Sequence, residues 1–125
     1  MNVSIENPTV SVISSSSLKE QLIADIFLLG MKAHHNTERC VFVEFRGHID
    51  HLDISVRESR DNYGNELAAT DIRLIPYSFF NLEEREAFEQ ELIEKLEETK
   101  NYLTAFAQNG ELDTGGFLKI TTTIF

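Results

Sequence analysis

Cys40-Val41-Phe42-Val43-Glu44-Phe45-Arg46-Gly47-His48-Ile49-Asp50-His51-Leu52-Asp53-Ile54-Ser55-Val56-Arg57 is the stretch that decides the fold of this 125-residue chain. Val41, Val43 and Phe45 alternate with Phe42, Glu44 and Arg46, and beyond Gly47 the residues Leu52, Ile54 and Val56 alternate with Asp53, Ser55 and Arg57. A period of two belongs to strands that cover one face, so the stretch reads as a hairpin that turns after Gly47. Asp61-Asn62-Tyr63-Gly64-Asn65 is a cluster of turn formers. Residues 68–75, with Ile72 and Leu74 on one side, then supply a third strand that ends before Pro76. The expectation is an antiparallel meander over residues 40–75.

Outward from the meander the period becomes helical on both sides. Ser17-Leu18-Lys19-Glu20 fits a capping box, in which Ser17 accepts from a backbone N–H and Glu20 reaches back. This predicts a helix from Leu18 to about His34. Leu18, Leu22, Ile26, Leu29 and Ala33 share one face, while Ile23, Ala24, Phe27 and Met31 cover much of the other. Two apolar sides predict a sandwiched helix, with Asn36 as its left-handed terminal residue and His34 and His35 at its C-terminal end, where the helix dipole favours cations. Asn81-Leu82-Glu83-Glu84 opens a second helix, expected to run over 82–108 until Asn109-Gly110 stops it. Its apolar stripe, Phe88, Leu92, Leu96, Leu103 and Phe106, is narrow. Val3, Ile5, Val10 and Val12 around Pro8 suit a short edge strand, and residues 115–125, with Leu118, Ile120, Thr122 and Ile124 on one face, predict a last strand. The fold class is therefore α+β: an antiparallel sheet of about four strands, the meander plus the C-terminal strand, packed with two helices in one domain spanning residues 1–125.

Composition narrows the function classes. Hydrophobic residues make up 42% of the chain, with nine Phe among its aromatics, which is enough for one core without disulfides or metals. The apolar run Ile26-Phe27-Leu28-Leu29 is far short of the ~20 residues of a bilayer span. The N-terminus lacks a basic region followed by an apolar one, so a cytoplasmic location is expected. The single Cys40 sits in an apolar run and reads as a buried, inert thiol. A formal net charge of −10 argues against direct contact with nucleic acid or an anionic membrane, since phosphate contacts need clustered Lys and Arg.

Two segments could carry function. In His48-Ile49-Asp50-His51-Leu52-Asp53 the candidate metal ligands are His48, Asp50, His51 and Asp53, and a strand places His51 and Asp53 on one face. Within it, His48-x-Asp50-His51 resembles the second half of the His-x-His-x-Asp-His motif of metallo-β-lactamase-fold hydrolases. Arg46 replaces the first His of that motif, however, and strand alternation follows where a helix should. A polar hairpin turn is the simpler reading. No P-loop, dinucleotide fingerprint, nucleophile elbow or Cys-x-x-Cys is present, so no catalytic residue, cofactor or enzymatic activity is expected. The second segment is acidic: Glu83 to Glu98 holds eight Glu against Arg85 and Lys95, a net −6 in sixteen residues. On a helical wheel Glu83, Glu86, Glu94 and Glu97 share the face opposite the apolar stripe.

The sixteen residues Val41 to Val56 also resemble a strand-turn-strand of small uncharacterised proteins of bacteriophages and prophages. That resemblance implies an accessory protein acting in the host cytoplasm, with no known activity, cofactor or catalytic residue to carry over. The function expected is a non-catalytic accessory that engages a protein partner with a basic surface through Glu83, Glu86, Glu94 and Glu97. The alternatives are a structural homo-oligomer, such as a homodimer, and a metal-binding protein or metal-dependent enzyme using His48, Asp50, His51 and Asp53.

Overall fold

The computed structural model describes residues 15–110. In chain order they form α1 (Ser15–Asn36), β1 (Cys40–Arg46), β2 (His51–Arg57), β3 (Glu66–Arg73) and α2 (Leu82–Asn109). The strands make an antiparallel sheet in the order β1-β2-β3, so the meander read from the period of two is present and the class is α+β. The strand expected over 115–125, and the fragments expected before residue 14, lie outside the described residues.

The register explains why alternation was visible. Val41, Val43 and Phe45 pair with Val56, Ile54 and Leu52, and these pair in turn with Ala68, Thr70 and Ile72. All nine side chains share the face that meets the helices. Leu52, Ile54, Val56, Ala68, Thr70 and Ile72 are fully or almost fully buried there, and Val41 and Val43 pack at the margin. The helices contribute Leu22, Ile26 and Ala33 from α1 and Phe88, Leu92, Leu96, Leu103 and Phe106 from α2. Each such aliphatic or aromatic side chain stabilises the fold by about 1.5–3 kcal/mol relative to exposure.

α1 packs against α2 and β1, and α2 reaches β3. Lys19 Nζ lies 3.1 Å from Glu89, and Lys100 Nζ lies 3.0 Å from Asp25. Both pairs advance in the same sense along both helices, so α1 and α2 run parallel. Three antiparallel strands between two helices require this if each connection reverses the chain. α2 begins with the capping box read from the sequence: Asn81 Oδ1 accepts from Glu84 N at 2.7 Å, and Glu84 Oε1 accepts from Asn81 N at 2.8 Å. It ends at Gly110, whose φ of 74° places it in the left-handed region while its N–H donates to Phe106 O.

Three local expectations at α1 are corrected. The helix begins at Ser15, so Ser17 is a helical residue of the first turn and not its cap. Among the described residues only Asp50 has a positive φ outside glycine, so Asn36 is not a left-handed terminus. Thr37 ends the helix instead: its N–H and its hydroxyl both donate to Ala33 O, at 3.1 and 2.7 Å, and its hydroxyl accepts from Arg39 N. A threonine able to satisfy the last carbonyls removes the need for a left-handed residue. Finally, α1 has α2 and β1 as its neighbours, yet its second apolar side is covered only in part, because Phe27, Leu28 and Met31 remain exposed.

Candidate functional site

The outward face of α2 is the first sequence-derived candidate. Its buried residues, Phe88, Leu92, Leu96, Thr99, Leu103 and Phe106, occupy one stripe. Thr99 completes a gap left by reading apolar residues alone; its hydroxyl donates to Lys95 O at 2.8 Å, which lets a polar side chain sit fully buried. Helical geometry then forces Glu83, Glu86, Glu94 and Glu97 to the opposite side, and all four are exposed. Among the described residues none of them makes an ion pair or a side-chain hydrogen bond, whereas Glu89, nearer the helix interface, pairs with Lys19.

The sequence reading did not single out what precedes this face. Tyr77, Phe79 and Phe80 form a cluster, with Tyr77 and Phe79 stacked at 5.2 Å and Phe80 edge-on to both. Phe80 also meets the buried Phe88 at 6.3 Å, which anchors the cluster to the core. Arg73 lies 3.9 Å over the Tyr77 ring. Phe79 and Leu82 are nonetheless 76% and 72% exposed, directly before Glu83 and Glu86 in the chain. The signal was available as Tyr77-Ser78-Phe79-Phe80, four residues with three aromatics ahead of a capping box.

The second candidate set is divided by the structure. His48 is exposed in the turn between β1 and β2, and Asp50 occupies a left-handed turn position at φ 54°, its carbonyl accepting from Leu74 N at 2.8 Å. His51 and Asp53 lie on the sheet face away from the helices, as alternation required. Their partners come from the neighbouring strands. Nδ1 of His51 is 2.7 Å from Asp71 Oδ1, and Arg46 Nε is 2.7 Å from Asp53 Oδ2. Asp53 and Asp71 stand opposite each other in the register. Burial pushes the Asp53 carboxyl above its ordinary range, the Asp71 charge adds to that rise, and Arg46 opposes it. Among the described residues no group of three or more His, Cys, Asp or Glu side chains is placed to hold a metal ion.

This open sheet face contains a shallow hollow of about 140 Å³ bordered by Phe42, Asp53, Ser55, Arg57 and Asp71. Arg57 donates to Ser55 Oγ and to Tyr63 O and sits 5.0 Å over the Phe42 ring, which stacks on Tyr63. The five sheet-region arginines therefore do not converge on one point: Arg39 donates to Glu58 O, Arg46 holds Asp53, Arg57 spans Ser55 and Tyr63, Arg60 caps His34 O, and Arg73 donates to Ile75 O. Each one tethers a turn or strand end of its own chain.

His34 departs from the role of a terminal cation. Val41 N–H approaches its Nδ1 at 3.1 Å and Arg60 Nε–H approaches its Nε2 at 3.0 Å. A neutral imidazole carries one proton and accepts at one nitrogen, so it can satisfy only one of these donors. Burial first, and then the Arg60 charge, hold its pKa below the ordinary histidine value. Cys40 is buried, as its apolar setting suggested.

Among the described residues no helix is long and apolar enough to cross a membrane. Comparisons with family models, with curated proteins and with solved structures find no match to the chain.

Proposed function

We propose that this chain is a non-catalytic binding protein that engages the basic surface of a partner protein through the outer face of α2. The observation that carries the reading is the coincidence of four exposed, unpaired carboxylates, Glu83, Glu86, Glu94 and Glu97, with the protruding apolar side chains of Phe79 and Leu82 at the same helix start. Protein interfaces are anchored by a few large side chains that become desolvated, while charges around them steer approach and reject wrong partners. A fixed acidic face beside two apolar anchors fits a partner with an apolar pocket rimmed by Lys or Arg. Rigidity supports the same reading, because a helix capped at both ends and held by a continuous buried stripe presents its outer face without an ordering cost at binding. The phage-accessory context belongs to this proposal as its setting: such a protein would act on a component of the host cell.

The test is capture from a host lysate with the wild-type chain and with a variant carrying Glu83→Lys, Glu86→Lys, Glu94→Lys and Glu97→Lys. All four positions are exposed, so helicity by circular dichroism should be unchanged. The expected result is a stoichiometric partner on the wild type, released by salt and missing from the variant. A partner held equally by both proteins would end the acidic-face reading.

A further inference from the structure

We infer that two copies of the chain join through the outer edge of β1, with Val43 of each at a two-fold axis and a sheet continuous across the pair as the result. Among the described residues β1 is an outermost strand, hydrogen-bonded to β2 on one side only. Exposed edges are templates for further strands, and Pro, charged residues (Lys above all), bulges or a covering segment blunt them. β1 has no Pro and no Lys, its two charged residues are drawn together as Arg46 pairs with Glu44 and Asp53, and all seven of its residues pair with β2 in unbroken register. The irregularity of the sheet falls elsewhere, between Val56 and Arg57 against β3.

Among the described residues the neighbouring helix carries an uncovered surface to match. A groove of about 280 Å³ runs between α1 and β1, lined chiefly by Phe27, Leu28, Met31, Val41 and Val43. Leu28 and Met31 are more than half exposed, as is Phe45, which lies on the same side of the sheet farther along β1. A symmetric pair would cover these side chains together with the strand edge, and specific interfaces bury about 800 Å² on each partner.

A second copy is the occupant because β1 is complementary to itself in one antiparallel register. With Val43 opposite Val43, all seven residues overlap. Val41 meets Phe45 on the helix side, while Phe42 meets Glu44 and Cys40 meets Arg46 on the open side. No like charges face each other. A slide of two residues in one direction sets Glu44 against Glu44, and a slide in the other sets Phe45 against Arg39; each also shortens the overlap. The same two-fold axis brings the Leu28 and Met31 surfaces of both α1 helices together, as an isologous contact requires. α2 lies on the β3 side of the helix layer, so the pairing leaves both acidic faces open and does not depend on their role.

Sedimentation velocity of the full chain at tens of micromolar tests the inference, with a species of twice the chain mass expected. Leu28→Glu with Met31→Glu changes two exposed positions, and circular dichroism reports whether the fold is kept. At least a tenfold weaker association is expected. Val43→Cys places two thiols at the axis within disulfide reach, so oxidation should yield a covalent dimer whose link maps to position 43. A monomeric wild-type chain overturns the inference. So does a dimer that neither the double Glu variant weakens nor the Val43→Cys bond captures, since its interface lies elsewhere. A position-43 thiol protected in a monomer also overturns it and assigns the groove to another segment of the same chain.

Discussion

Thr70 places a hydroxyl among Ile54, Ala68 and Ile72 on the buried side of the sheet, where its Oγ1 has no hydrogen-bond partner among the described residues. A buried hydroxyl without a partner costs about 1–3 kcal/mol. Thr70→Val keeps the shape and the β-branching, so we expect stabilisation by about 1 kcal/mol in urea unfolding; an unchanged or lower midpoint would show that the hydroxyl is satisfied. His34 supplies a pH dependence at the same scale. Its folded pKa lies below the ordinary 6.5, so as pH falls below that value the unfolded chain takes up the proton first. The stability that the neutral ring supports is present above 6.5 and declines as pH falls toward the folded pKa. The urea midpoint of the wild type should therefore fall between pH 7.5 and pH 5.5 by more than that of His34→Gln. Equal falls would remove His34 as the cause. Most of this residue-level detail was not legible in the sequence. The partners of His34, Val41 and Arg60, are 7 and 26 residues away in the chain and meet it only because α1, β1 and the β2–β3 turn converge.

At the level of elements, α1 comes close to β1 at Gly30. A Cβ added at Gly30 would stand 2.5 Å from Val43 Cγ2. Glycine in mid-helix costs about 1 kcal/mol against alanine, and the space it frees lets α1 lie directly on β1. Gly30→Ala should regain that propensity but force Val43, stiff at χ1, to move, for a net loss of about 1–2 kcal/mol. Adding Val43→Ala should recover part of the loss, giving a coupling of about 1 kcal/mol or more in the double-mutant cycle. Additive effects would disprove the contact. Elements themselves were largely readable beforehand. The capping box at Asn81, the stop at Gly110 and the alternation over 40–57 are local chemistry and appear at the places the sequence marks. α1 was misread by a few residues at its start and in the manner of its ending, because serines serve as helix residues or caps according to context and a threonine hydroxyl can replace a left-handed terminus.

At the scale of the molecule, the helix layer covers one face of the sheet, and among the described residues three surfaces stay exposed: the acidic side of α2, the β1 edge with α1, and the polar face holding Asp53 and Asp71. The apolar anchors beside the acidic side give a prediction at this scale. Phe79→Ala with Leu82→Ala should leave unfolding midpoints within about 0.5 kcal/mol of wild type, since both side chains are mostly exposed. The same pair should weaken partner capture at least about tenfold if these residues are anchors. Unchanged capture would reduce the surface to its charge alone.

Among the described residues the sequence by itself determined the secondary elements, the side of each strand and of α2 that turns inward, and the exposure of Glu83, Glu86, Glu94 and Glu97, because periodicity and capping are local and burial follows them. It could not decide which residues from different elements meet. That His51 joins Asp71, that Arg46 joins Asp53 while His48 and Asp50 stand apart, and that Phe27, Leu28 and Met31 stay uncovered beside an open strand edge follow from strand register and from where two parallel helices settle on three strands. Those placements depend on how all five elements pack at once, a condition that no single window of sequence contains.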